Sequence, residues 1–312
     1  MSYESEMLKS YKMPLRKQVE EAIIISLFKH NGVIKEFGFG EEIVDEIADY
    51  FKLTQEQRGA YLKTVYRKQD RLKKSYLWHR LLFRAADALA KEKMITRPTE
   101  TFLLTNKREW MLTEKGFDFS LRLLNIPESK KNLLPTKSYE VQKVIKKLEV
   151  KERPVIYTPF DEKKKTKTIT KEYDIRIRGF RLAIIEAYNY KCAFCGMQIN
   201  SPDSLIWEVE AAHIVPHKLK GKDDIWNGLA LCHLHHWAFD VGWFILLDNY
   251  TILISSQIDL LPSNYGKIGE YDFLRSFIKE GSHIYLPENK KIYPHKNSLC
   301  WHRENIFYGG NK

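Results

Sequence analysis

Four residues with sulfur and imidazole donors stand at ligand spacing in the second half of this 312-residue chain. Cys192 and Cys195 form C-x-x-C followed by a glycine, and Cys232 and His235 repeat the spacing as C-x-x-H. Each pair turns two donors toward one point, so the two pairs supply the four corners of a tetrahedral zinc site. A lone cysteine would read as a small buried residue; two such knuckles read as a zinc staple. Cys300, the remaining cysteine, has apolar and aromatic neighbours and reads as a buried thiol outside the set. Between and beside the knuckles lie His213 in EAAHIVPH, Asn227 in IWNGLALC, and His236 directly after the ligand His235.

The ordered motifs YKCAFCG, EAAHIVP and NGLALCHLHHWAFDVG resemble the HNH nuclease family, in particular its restriction-type branch. The resemblance runs over about residues 176–307, because IYLPENKKIYP and SLCWHRENIF are similar to that branch's tail. It implies phosphodiester hydrolysis with one metal ion. Such a reaction needs water deprotonated near neutral pH, and imidazole titrates there, so His213 is the natural general base. It also needs positive charge on the nonbridging and leaving oxygens, which a divalent ion supplies. The resemblance further implies that His236 ligates that ion, that Asn227 braces the loop carrying the base, and that the products carry 5′-phosphate and 3′-hydroxyl ends. Zinc is then structural, and Mg²⁺ or Mn²⁺ serves catalysis.

One departure matters. Many HNH enzymes carry an acidic residue directly before the base, where this chain has Ala212. Either another residue ligates the metal or the site is weakened. Asp240, four residues after His236, shares its helix face and is favoured slightly over Glu210; a cap or turn role for Asp240 stays equally open. His217 reads as a loop residue, and His302 carries no assigned role. Arg178 and Arg181 read as phosphate contacts or as the solvated face of a helix.

The elements that must hold these residues follow from pattern. A hairpin through WEVEAAHI and WNGLAL, with a helix opening at HHWAFDVG, gives a ββα core. Upstream, apolar residues at helical spacing mark helices over 15–30, 41–51 and 76–93. Thr54 and Gln57 are spaced as a capping box. Short strands are expected at Thr101–Leu104 and Glu109–Leu112, separated by Asn106-Lys107. Three helices and a terminal hairpin make a winged-helix arrangement. EIVDEIADYFKLTQEQRG, AADALAKEKMI and WMLTEKG also resemble the N-terminal domain of Mrr-type restriction enzymes. In such domains the third helix enters the major groove and the wing touches backbone, which makes Arg80, Arg84, Lys91 and Lys107 candidates for DNA contact. A winged helix used for protein contacts is the alternative.

The expected fold class is α+β: a winged-helix DNA-recognition domain over 1–126, a linker over 127–170 and a zinc-stapled HNH domain over 171–312. A net charge of +11 and a pI near 9.2 suit a polyanionic partner, here double-stranded DNA, or mark a chain that is merely lysine-rich. The run Lys163, Lys164, Lys165 reads as solvated surface. The opening MSYESEMLKSYKM resembles no signal peptide and no apolar run is long enough to span a membrane, so a cytoplasmic protein is expected. The leading functional reading is a type II or type IV restriction endonuclease, with a methylated base as a candidate requirement. One active site per chain makes a homodimer the expected double-strand cutter. Two readings stand beside it: a noncatalytic zinc-containing DNA-binding regulator, kept alive by Ala212, and a homing, toxin or repair nuclease.

Overall fold

Helix α1 (Tyr3–Ser10) is followed by α2 (Arg16–Lys29), which buries Val19, Ile23, Leu27 and neighbouring apolar residues. The computed structural model describes residues 3–37, 42–66, 71–162, 171–260, 267–268, 271–272 and 280–307; the lysine run 163–165 lies outside them. Two units emerge: residues 1–131 with 136–143, and residues 132–135 with 144–312.

In the first unit, α2 leads to β1 (Val33–Lys35), α3 (Glu42–Tyr50) and the short α4 (Gln55–Gly59). The expected capping box opens α4: Thr54 Oγ1 accepts from the Gln57 backbone N–H, and Gln57 Oε1 accepts from that of Thr54. An antiparallel hairpin then forms, β2 (Tyr61–Tyr66) and β3 (Arg71–Tyr76), in register from Tyr61↔Tyr76 to Tyr66↔Arg71. Helix α5 (Leu77–Lys91) follows, and its buried Leu77, Trp78, Leu81, Ala85 and Leu89 recur at helical spacing. The Trp78 indole N–H donates to Val44 O at 3.1 Å, tying α5 to α3.

The expected strand Thr101–Leu104 is instead part of a helix, α6 (Pro98–Thr105). Pro98 at its first turn presets the helical φ, and Asn106 closes it in the left-handed region (φ 58°). The strand before it is β4 (Ile95–Thr96), which pairs with β5 (Glu109–Leu112); β1 completes a three-stranded antiparallel sheet in the order β1-β5-β4. Thr113 caps α7 (Glu114–Leu123) by accepting from Gly116 N–H. The stretch read as a linker carries a 3-10 turn at Glu128–Leu133 and helix α8 (Tyr139–Glu149), within which the division between the units falls.

In the second unit, α9 (Lys171–Ala187) buries Phe180, Ile184 and Ile185 against β6 (Val209–His213) and β7 (Gly228–Cys232). These strands pair antiparallel from Val209↔Cys232 to His213↔Gly228, and α10 (His233–Asp240) follows β7 without a loop. The expected ββα order is therefore present. A second hairpin, β8 (Phe244–Leu246) and β9 (Ile252–Ile254), and a terminal helix, α11 (Lys296–Asn305), enclose the core. His302 on α11 is structural: its ring stacks on Phe239 at 3.7 Å and its Nε2–H donates to Phe239 O. Burial lowers its pKa to about 4, so it packs as a neutral ring.

Candidate active site

Cys192 and Cys195 lie in the turn after α9, Cys232 at the end of β7, and His235 in the first turn of α10. Their ligand atoms all fall within 4.8 Å of one another, the one such convergent group among the described residues. Nδ1 of His235 is 2.9 Å from Cys232 Sγ and 3.7 Å from Cys192 Sγ. Donors of a tetrahedral zinc ion, bound at about 2.0–2.3 Å, stand roughly 3.5 Å apart, so this set fits zinc in both chemistry and spacing. Gly196 turns the first knuckle with φ +75°, and a Cβ there would meet the Tyr285 ring at 2.9 Å, so glycine is required twice over. Phe194 stacks on His235 at 4.1 Å and walls the cluster from water. Cys300 is away from the set, its thiol donating to Glu304 Oε1 at 3.1 Å.

His213 ends β6. Its ring stacks on Phe180 of α9 (4.2 Å, 21°), and its Nε2 lies 3.0 Å from Oδ1 of Asp223. Asn227 is fully buried: Oδ1 accepts from Val215 N–H at 2.9 Å, while Nδ2 donates to Val215 O and Lys222 O. That side chain closes the loop that leads from His213 back to β7. His217, in that loop, stands 5.9 Å from His213, with Nε2 3.3 Å from Tyr173 OH.

His236 lies one residue beyond His235 of the cluster, so α10 turns it by about 100° into different surroundings. Its Nδ1–H donates to Glu210 Oε2 at 2.8 Å, and its Nε2 is 3.6 Å from Asp240 Oδ2. His233 reaches Glu210 Oε1 at 3.2 Å. Burial is the largest single influence and would lower the His236 pKa, but the bond to Glu210 and the charges of Asp240 and Glu210 together outweigh it and the pKa is raised; the same bond, against burial, holds the Glu210 carboxyl low. Asp240 also lies within electrostatic reach of Lys218 and His213. Glu210 thus comes closer to His236 than the favoured Asp240 does. It sits two residues before Ala212 on the same strand, hence on the same face, and only the pairing of β6 with β7 and α10 reveals the approach.

Elsewhere the sequence-derived candidates separate. Arg178 is buried, at 1 % exposure, which removes it both from the solvated face and from phosphate contact. Burial lowers the Arg181 pKa, against the pull of Glu210. In the first unit, Arg80 and Arg84 converge on the buried Glu4 carboxylate at 2.6 and 2.8 Å, and Lys91 pairs with Asp87 at 2.9 Å. Lys107 is exposed in the turn after α6.

An antiparallel hairpin running straight into a helix, flanked by a Cys3His cluster, is a ββα unit of the kind that nucleases use. Residues 192–247 match the family model described as HNH endonuclease, so the chain contains an HNH endonuclease domain. Among solved structures, a modification dependent TagI restriction endonuclease is similar at 18% identity and a TM-score of 0.28. That match covers 41% of this chain and only 37% of the other. No curated protein matches the sequence. No helix among the described residues is long and apolar enough to cross a membrane.

Proposed function

We propose that this protein is a metal-dependent deoxyribonuclease of restriction type that hydrolyses double-stranded DNA, with His213 as general base. The observation that carries the proposal is the gathering, around one ββα unit, of an imidazole at His213 paired with a carboxylate, the loop-closing Asn227, and His236 beside two carboxylates. A pure zinc staple needs none of these.

Asp223 accepts from Nε2–H of His213, which leaves Nδ1 as the nitrogen that takes a proton from water. Asn227 keeps the loop, and with it the base, in place. His236, Glu210 and Asp240 form a nitrogen and oxygen donor set suited to a hard divalent ion such as Mg²⁺ or Mn²⁺. When bound, that ion stabilises charge on the phosphate and on the leaving oxygen. Glu210 is the carboxylate nearest His236 and would compensate for Ala212.

The first unit acts in this reading as a winged-helix reader of DNA, supported by its three-stranded antiparallel sheet and the resemblance of its sequence to Mrr-type domains. Arg80 and Arg84 are both paired with Glu4, so the exposed Lys107 is the cation most directly offered to DNA, and Arg84 would reach phosphate only by giving up its bond to Glu4. A homodimer would deliver both strand cuts, and the Mrr-type resemblance makes methylated DNA the first substrate to try. The test is incubation of purified protein with methylated and unmethylated plasmid plus Mg²⁺ or Mn²⁺, beside His213→Ala. Cleavage lost in the variant supports the nuclease, and preference for one plasmid reports the modification requirement. Intact plasmid under every condition, with zinc bound, favours the noncatalytic DNA-binding regulator instead.

A further inference from the structure

We infer that Asp223 is a positioning residue that fixes the tautomer of His213, and that Arg176 holds Asp223 for this task; the inference rests on the nuclease reading above. An ionised carboxylate can only accept, so an imidazole nitrogen 3.0 Å from Asp223 Oδ1 must carry the proton. Nε2 is thereby the N–H and Nδ1 the lone pair. The opposite tautomer would set two acceptors against each other and put the proton on the nitrogen that has to receive one.

The carboxylate is built in rather than incidental. The Asp223 side chain is only 4% exposed, and its second oxygen is met by Arg176 Nε at 2.9 Å. A carboxylate this buried is costly unless a cation offsets it. Arg176 and Phe180 are four residues apart on α9 and so share one face: the first holds the acid, the second stacks on the imidazole and limits its rotation. Asn227 sets the remaining distance. Its Nδ2 bonds to the carbonyl just before Asp223 and to that of Val215, two residues after His213. When Nδ1 accepts the proton of the attacking water, the ring becomes an imidazolium whose new charge faces Asp223. The carboxylate therefore interacts more strongly with the ring after proton transfer than before, which is what lowers a barrier.

The experiment is a double-mutant cycle on plasmid cleavage in Mn²⁺, with wild type, Asp223→Asn, Asp223→Glu, His213→Ala and the double variant His213→Ala/Asp223→Asn. It is paired with ¹⁵N NMR of the His213 ring in its neutral form. Asp223→Asn is expected to lower kcat by ~100-fold or more with KM within ~3-fold, and Asp223→Glu to recover part of the loss. In the His213→Ala background the same substitution should change the residual rate by less than ~3-fold, because its effect runs through the missing ring. The wild-type spectrum should show the Nε2–H tautomer, and Asp223→Asn should lose it. A purely structural role predicts an equal drop in both backgrounds with the tautomer intact, and that result overturns the inference. So does an Nδ1–H tautomer in the wild type. Wild-type protein that leaves plasmid uncut sinks the nuclease reading alone, since the ring spectrum still decides for or against Asp223.

Discussion

His235 and His236 are neighbours on α10, yet they serve unlike surroundings. His235 is buried with Nδ1 among three sulfurs; His236 is partly exposed with both ring nitrogens toward carboxylates. Sulfur donors and closed geometry suit a zinc ion that stays, whereas oxygen donors and an open side suit a hard ion that shares its coordination with substrate. One helix turn thus presents two unlike donor sets, with the closed cluster fixing the rotation of the helix that carries the open one.

Breaking the closed side has the largest expected effect. Cys232→Ser should cost on the order of 5 kcal/mol or more of stability in the second unit, since binding energy of a structural zinc is folding energy. Metal analysis and thermal melts check this; retained zinc with an unchanged melt would contradict the staple. On the open side, His213→Ala should lower the cleavage rate by ~10³-fold while zinc content and melting temperature hold, which plasmid assays and melts on the same samples measure.

A third prediction tests the packing that both sides share. His302 titrates at about 4 when folded and near 6.5 when unfolded. Its folded value is depressed, so the unfolded chain binds the proton first and stability falls as pH drops from about 6.5 to 4, by roughly 3 kcal/mol in all. His302→Phe should flatten this part of the stability profile in denaturant titrations across pH; an undiminished slope would assign it to other groups. Glu210→Gln should then raise the Mn²⁺ concentration for half-maximal cleavage by about 10–100-fold, the usual cost of losing a carboxylate at or next to a metal. Asp240→Asn, further from His236 and half-exposed, should raise it by less than about 5-fold. A larger effect at Asp240 than at Glu210 would reverse the ranking drawn from the distances.

The Cys3His cluster and the ββα order were legible because local spacing encodes them: C-x-x-C and C-x-x-H, and a period-two run ending in a helix. The helices of the first unit were legible from apolar recurrence, as in Leu77 to Leu89. Thr101–Leu104 misled because TFLL is as apolar as a strand, while Pro98 and Asn106, which make it a helix, stand outside the window. The hairpin β2–β3 went unanticipated because neither YLKTVY nor RLKKSY alternates apolar with polar residues. Asp223 was hidden, and Glu210 was ranked second to Asp240, for a different reason. Strand register carries Glu210 to His236, and a loop closed by Asn227 carries Asp223 to His213; neither separation along the chain announces the contact.

The amide of Asn227 grips the chain at Val215 and at Lys222, and the base of the segment between is tied again where Gly221 N–H donates to Pro216 O and Lys220 O accepts from Asp161 N–H. These ties hold both ends of the segment beside the strand that ends in His213. Residues spliced in at the exposed Lys218–Leu219, between the tied ends, would lengthen the loop outward, offering a point where a tag, a spectroscopic probe or a whole guest domain can be attached while the Asn227 clasp stays closed.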